Sequence, residues 1–193
     1  MKKVILASLL VFAALSSAEA QTGLRPARFV LGGGFTFGGD KLATVAFTNG
    51  QDQDIRAGGL FAIHAGVDML INDQVSVQAT VGYHTDGTSA ASNGSLRFSR
   101  FPVELLGYVH LNPQVRVGGG VRFVNSPELS GSGAVGGLDV SFDNTVGGIV
   151  EGEYFFSPNF GLKLRGVSET YRVRSTGFKV NGGHVGIYGN FYF

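Results

Sequence analysis

Four histidines, His64, His84, His110 and His184, are the residues best suited to proton transfer or metal ligation in this chain. The dipeptides that follow them are "AG", "TD", "LN" and "VG", so no H-E-x-x-H occurs and no carboxylate joins them at ligand spacing. Satisfied interior histidines are therefore expected, with no metal site and no catalytic base. Ser168 and Glu169 are adjacent in sequence, and neighbours in a strand face opposite sides, so they assemble no nucleophile–base pair. "GSGAVG", Gly131 to Gly136, fits G-x-G-x-x-G, yet it follows a loop and opens no helix, as a dinucleotide cradle must. The chain has no Cys, which excludes thiolate chemistry, disulfides and a lipid-bearing N-terminal Cys. No cofactor is expected. What remains is a set of charges inside apolar segments: Glu104, Arg122, Glu151, Glu153, Lys163 and Arg165.

The elements carrying those charges alternate strictly. Val103, Leu105, Gly107, Val109 and Leu111 share one parity, and Glu104, Tyr108 and His110 the other. Val115, Val117, Gly119, Val121 and Phe123 likewise oppose Arg116 and Arg122. Val150, Gly152, Tyr154 and Phe156 oppose Glu151 and Glu153, while Leu162 and Leu164 oppose Lys163 and Arg165. Earlier, Ile63, Ala65, Val67, Met69 and Ile71 oppose His64 and Asp68. This is the period of a strand, and no segment shows helical spacing. With "RFVLGGGFTF" near the start and "HVGIYGNFYF" at the end, eight strands are expected.

Three short turn clusters, "NDQ" (Asn72–Gln74), "NPQ" (Asn112–Gln114) and "SPN" (Ser157–Asn159), join them pairwise. Four longer polar connections, roughly Gly39 to Ala57, Thr85 to Arg97, Asn125 to Asp143 and Thr170 to Gly183, lie at the other end. A water-soluble lipocalin-like barrel also has eight strands, but it puts its charges on the outer parity. Here every charge in the strand cores shares the polar parity, as lipid on the apolar side requires, because a mid-membrane Lys or Arg facing lipid costs about 2–4 kcal/mol. Direct pairing of the residues that flank each turn, Leu111 with Val115 and Phe156 with Phe160, sets Glu104 opposite Arg122, Glu153 opposite Lys163 and Glu151 opposite Arg165. These six residues are expected to form ion pairs that plug a lumen only just wide enough for side chains.

The chain starts "MKKVILASLLVFAALSSAEA", with a basic n-region, a short apolar core and an A-x-A site, so residues 1–20 read as a cleaved signal peptide and 21–193 as one domain. Removing two Lys and one Glu leaves 13 basic and 13 acidic residues, which argues against a nucleic-acid partner.

These features resemble the small eight-stranded outer-membrane β-barrel family that includes the OmpA transmembrane domain and OmpX. The resemblance covers about Arg28 to Phe193 and rests on the signal peptide, the three turns, the alternating hairpins and the aromatic C-terminus. It implies an all-β, up-and-down antiparallel transmembrane barrel in a Gram-negative outer membrane, with short periplasmic turns and four longer outside loops. It also implies that the barrel assembly machinery reads Val185, Ile187, Phe191 and Phe193, although Gly189 interrupts that series. Expected partners are outer-membrane lipid and lipopolysaccharide, plus a host or cell-surface ligand met by the loops, with Phe47, Leu129 and Phe142 as contact candidates. The oligomeric state is left open. The function implied is structural or surface-interacting (adhesion-type) rather than enzymatic. Two alternatives stand beside it. Some such barrels are lipid A-modifying enzymes, but the deacylases' His-x-Ser pattern is absent here. Others, like the OmpW family, are narrow channels for small hydrophobic molecules; Val30, Leu60, Leu70 and Leu106 would supply an apolar lining.

Overall fold

In lipid, a strand satisfies its N–H and C=O groups only by pairing along both edges, so alternating segments must close into a ring. The computed structural model describes residues 27–46, 52–90, 94–133 and 136–193 and has that ring. In chain order the strands are β1 (Ala27–Gly38), β2 (Lys41–Ala46), β3 (Asp52–Arg56), β4 (Leu60–Leu70), β5 (Val75–Ala90), β6 (Gly94–Asn112) and β7 (Val115–Gly133). They continue with β8 (Val140–Ser141), β9 (Thr145–Ser157), β10 (Phe160–Ser168), β11 (Thr170–Arg172), β12 (Lys179–Asn181) and β13 (His184–Tyr192). Eight of them form the barrel in the order β1-β4-β5-β6-β7-β9-β10-β13, all antiparallel, and β13 closes on β1 from Val30↔Tyr192 to Gly38↔His184. The signal peptide and Phe47 lie outside the described residues.

The outer wall is apolar and ends in two aromatic rims. Tyr83–Phe101 and Phe35–Phe61 mark one rim, with ring centroids 5.3 and 5.8 Å apart. Tyr154, Phe156, Phe160 and Phe191 stack in sequence along the other, at 4.9 to 6.0 Å. From Phe101 to Leu111 on β6, a strand tilted by about 40° climbs about 25 Å, the thickness of the apolar band of an outer-membrane barrel.

The ladders hold Glu104↔Arg122, Lys163↔Glu153 and Arg165↔Glu151. The turn-flanking pairs differ from expectation. Val115 pairs with Asn112 and Phe160 with Ser157, each through a register shift beside the turn. A bulge there absorbs one residue and leaves the ladder beyond it in step.

Among the described residues, the four outside connections carry strands of their own. The first carries the β2–β3 hairpin, and β5 and β6 run on, paired, to Ala90↔Gly94. In the third, β7 continues to Gly133 and pairs with β8 through Leu129↔Val140. The fourth is the β11–β12 hairpin. Ile55, Leu96, Phe98, Val124, Leu129, Phe142, Tyr171 and Val180 bury one another there as a hydrophobic cluster. Each connection is polar in composition but contributes one or more apolar residues at strand spacing, and together these make a capping core. Within "GSGAVG", Gly131–Gly133 end β7 and the Gly136 amide bonds the Gly133 carbonyl at 3.0 Å.

Candidate functional site

The inward parity of the eight strands builds a continuous polar network. At the turn end, β7 delivers Arg116, fully buried. Its guanidinium donates to Asp68 (2.8 Å) on β4, Glu153 (2.8 Å) on β9, and Gln78 (3.0 Å) and Ser76 (3.2 Å) on β5. It also lies 4.0 Å from the centre of the Tyr108 ring. The other Asp68 oxygen takes Arg28 at 2.7 Å, and Glu153 Oε1 accepts from Asn190 and Tyr192, both at 2.7 Å.

One tier up, Lys163 Nζ lies 3.0 Å from Glu151 and donates to the Tyr108 hydroxyl at 2.9 Å, while Tyr108 and Arg165 both donate to Glu151. Arg165 also grips both Glu104 oxygens at 2.9 Å, and Arg122 reaches Glu104 at 2.6 Å. Arg122 then spans upward to Glu169 at 3.0 Å and to His84 Nδ1 at 3.1 Å. Each arginine thus bridges carboxylates from different strands, which its planar fork of donors suits better than a lysine would. Gly118, directly opposite Tyr108, makes this possible: a Cβ there would lie 2.4 Å from the Tyr108 ring.

Of the six charges singled out in the sequence, Glu104–Arg122 and Glu151–Arg165 are ion-paired across adjacent strands. The third expected pair is corrected. Lys163 lies opposite Glu153 in the ladder, but its ammonium goes to Glu151, and Glu153 is taken by Arg116 at 2.7 Å. A long Lys stem reaches a diagonal neighbour, and the stronger bidentate donor claims the direct one. Arg116, Asp68 and Glu169 complete the network and were not singled out as pairing residues. Parity marked Arg116 and Asp68, and each has an ion partner directly opposite on a neighbouring strand, Glu153 and Arg28 respectively. The Arg116–Asp68 contact itself crosses the lumen, where strand register gives no signal.

His84 packs edge-on against His184, ring centroids 5.1 Å apart, and His64 packs on Tyr188 at 5.7 Å. His84 is enclosed by Arg100, Arg122 and Thr36 at 3.0, 3.1 and 2.8 Å. His110 bonds Ser76 at 2.9 Å. Among the described residues no three His, Asp or Glu side chains converge as metal ligands. Ser168 is exposed on the outer wall, while Glu169 is buried on the inner one beside Tyr171 and Arg122. Burial raises the Tyr171 phenol above its ordinary value, which keeps it a donor to Glu169. Of the expected apolar lining, Val30 and Leu106 are buried, Leu70 is half-buried and Leu60 is 41% exposed at the end of its strand.

The cap replaces two expected contact residues. Leu129 and Phe142 are buried in its core, whereas Leu138 and Phe178 are 54% and 68% exposed. On β13, Val185, Ile187 and Phe191 face outward, as does Phe193 just beyond it, and Phe193 exchanges backbone bonds with Phe29 at 2.9 and 3.2 Å.

Comparison with known proteins agrees with this geometry. A family model described as the outer membrane protein beta-barrel domain matches residues 7–191. No curated protein matches the sequence. Ail, the attachment invasion locus protein of Yersinia pestis, solved in complex with the heparin analogue sucrose octasulfate, is similar over 88% of this chain and 100% of its own, with a TM-score of 0.57 at 12% identity. Neisserial surface protein A is similar over 89% of this chain and 100% of its own, with a TM-score of 0.51 at 14% identity. At such identities the likeness to either structure is one of fold.

Proposed function

Because the chain belongs to the outer membrane protein beta-barrel domain family, and so to the outer membrane, we propose that it is a non-enzymatic structural or surface-interaction protein with a plugged lumen. The observation that carries this reading is the lumen network: Arg116, Arg122, Lys163 and Arg165 are all buried and cross-linked by five carboxylates drawn from three other barrel strands and the chain just beyond β10. A solute would have to separate those pairs and leave charges uncompensated, at several kcal/mol each. Residues 1–20 act as the cleaved signal peptide, and residues 21–193 as the single barrel domain. Val185, Ile187, Phe191 and Phe193 serve as the assembly signal. No cofactor takes part.

The outside end favours surface interaction over a passive plug. The cap is a folded β-layer with its own core, and it leaves Leu138 and Phe178 exposed for a host or cell-surface ligand to meet. Planar-bilayer recording and lipid A mass spectrometry test the reading together. The expected results are no steady conductance and unchanged lipid A in cells expressing the protein. A large steady conductance would support the narrow-channel alternative. A lipid A mass change lost on replacing His84 or Ser168 would support the lipid A-modifying enzyme.

A further inference from the structure

On the β11–β12 hairpin, Arg172 pairs directly with Lys179, a like-charge cross-strand pair that costs stability unless something neutralises it. Both side chains are exposed, and neither has an ion pair among the described residues. Two acids lie near the hairpin and both are otherwise engaged: the Asp143 amide bonds the Arg172 carbonyl at 2.9 Å while its carboxylate pairs with Arg174 at 3.5 Å, and the Asp40 carboxylate accepts from the Asn181 amide at 2.8 Å. Tyr171 and Val180 turn inward to the capping core, which fixes the two cations on the opposite, outer side.

That side is the lipid-facing wall continued. Alternation runs unbroken from Leu162, Leu164 and Ser168 on β10 to Thr170 and Arg172, and from Lys179 and Asn181 to Val185 and Ile187 on β13. At barrel tilt, Arg172 stands about 10 Å beyond Ser168 along the membrane normal, at headgroup height. Directly below, the wall carries an apolar groove of about 690 Å³ lined by Phe37, Gly148, Val150, Gly166, Ser168 and Val185. Missing side chains create it: a Cβ on Gly148 would meet nothing within 4 Å.

We propose that this wall holds one phosphorylated glycolipid of the outer leaflet, of the lipid A type, with a phosphate between Arg172 and Lys179 and an acyl chain in the glycine groove. Charge complementarity above and an apolar slot below, both on one face, select a lipid that is anionic at the headgroup and multiply acylated. A soluble anion would use only the upper half, and an uncharged lipid only the lower. The site deepens the surface-interaction reading by naming a partner in the membrane itself.

The test is native mass spectrometry of the full mature protein refolded in phosphatidylcholine nanodiscs. The probes are bisphosphorylated hexa-acyl lipid A, fully dephosphorylated lipid A and phosphatidylglycerol. Wild type should retain one bisphosphorylated lipid A in preference to both other probes. R172S/K179S should weaken retention about thirtyfold, as expected for two cations at a charged surface. Gly148→Leu should also abolish it by filling the groove. Gly107→Leu, on the β6 wall and equally open, should not. Heat-modifiable gel migration verifies folding of each variant. Equal retention of dephosphorylated lipid A or phosphatidylglycerol would overturn the assignment, and so would retention by Gly148→Leu matching that by Gly107→Leu. Capture of heparin by Arg172 and Lys179, without lipid A retention, would overturn it in favour of a soluble glycan. None of these outcomes alters conductance, so failure here is distinguishable from failure of the plugged-lumen reading.

Discussion

Lys163 offers a direct measurement of how the lumen is wired. Register alone makes Glu153 its partner, whereas the side-chain geometry gives it Glu151 at 3.0 Å. At an effective dielectric of about 20, unit charges 3.0 Å apart attract by about 5 kcal/mol, and desolvation removes roughly half of that. A cycle of Lys163→Met against Glu151→Gln should therefore show a coupling of about 2 kcal/mol. The same cycle against Glu153→Gln should show a smaller coupling, because Lys163 lies opposite Glu153 in the ladder without a direct ion pair and both Glu153 oxygens already accept from Arg116, Asn190 and Tyr192. Lys163→Met alone should cost only about 2 kcal/mol, since Arg165 and Tyr108 still satisfy Glu151. Urea unfolding of the protein refolded in lipid vesicles gives the four free energies of each cycle. A larger coupling to Glu153 than to Glu151 would refute the wiring. Additive losses in both cycles would refute the network itself.

Gly118→Ala should destabilise the barrel by about 1–3 kcal/mol in the same assay, because the new methyl meets the Tyr108 ring at 2.4 Å, while Gly107→Ala should be nearly neutral. Phe98→Ala removes a ring packed on both Phe142 and Tyr171, at 5.4 and 5.5 Å, and should open the cap locally. Its signature is faster hydrogen exchange in β11, β12 and β8 with unchanged exchange in β9 and β10. Deleting Phe193 removes two backbone bonds to Phe29, about 1–3 kcal/mol. Assembly yield in cells should fall further than that loss predicts if the residue is read as a signal, and in proportion to it if not.

The barrel was legible because parity is a local property. Whether Glu104 or Leu105 faces lipid depends only on odd and even positions, and a ladder once started keeps Glu104 opposite Arg122 even through a bulge at the turn. The cap was illegible for the opposite reason. Ile55, Leu96, Leu129 and Tyr171 come from four separate connections and find one another only once the barrel has brought those connections to one rim. Each connection, taken alone, has too few apolar residues to announce a core. Arg116 falls between the two cases: its inward parity was readable, but its span to Asp68 on a distant strand was not.

The charges also bear on why the barrel takes a single register. Slipping a strand by one residue would move its inward set outward. For β7 that exposes Arg116 and Arg122 to lipid, and for β10 it exposes Lys163 and Arg165. At about 2–4 kcal/mol for each cation at the midplane, slipping both strands costs roughly 8–16 kcal/mol before any lost pairing is counted. That exceeds the packing difference between neighbouring apolar registers, because Val and Leu fit almost any lipid-facing position. The outer wall is therefore permissive about register, and the lumen charges enforce it. A neutralised lumen, with these four cations and their partners replaced by apolar residues of similar volume, should still enter the membrane. It should do so as a mixture of slipped barrels, visible as several bands in heat-modifiable gels, and a single sharp band would contradict this account.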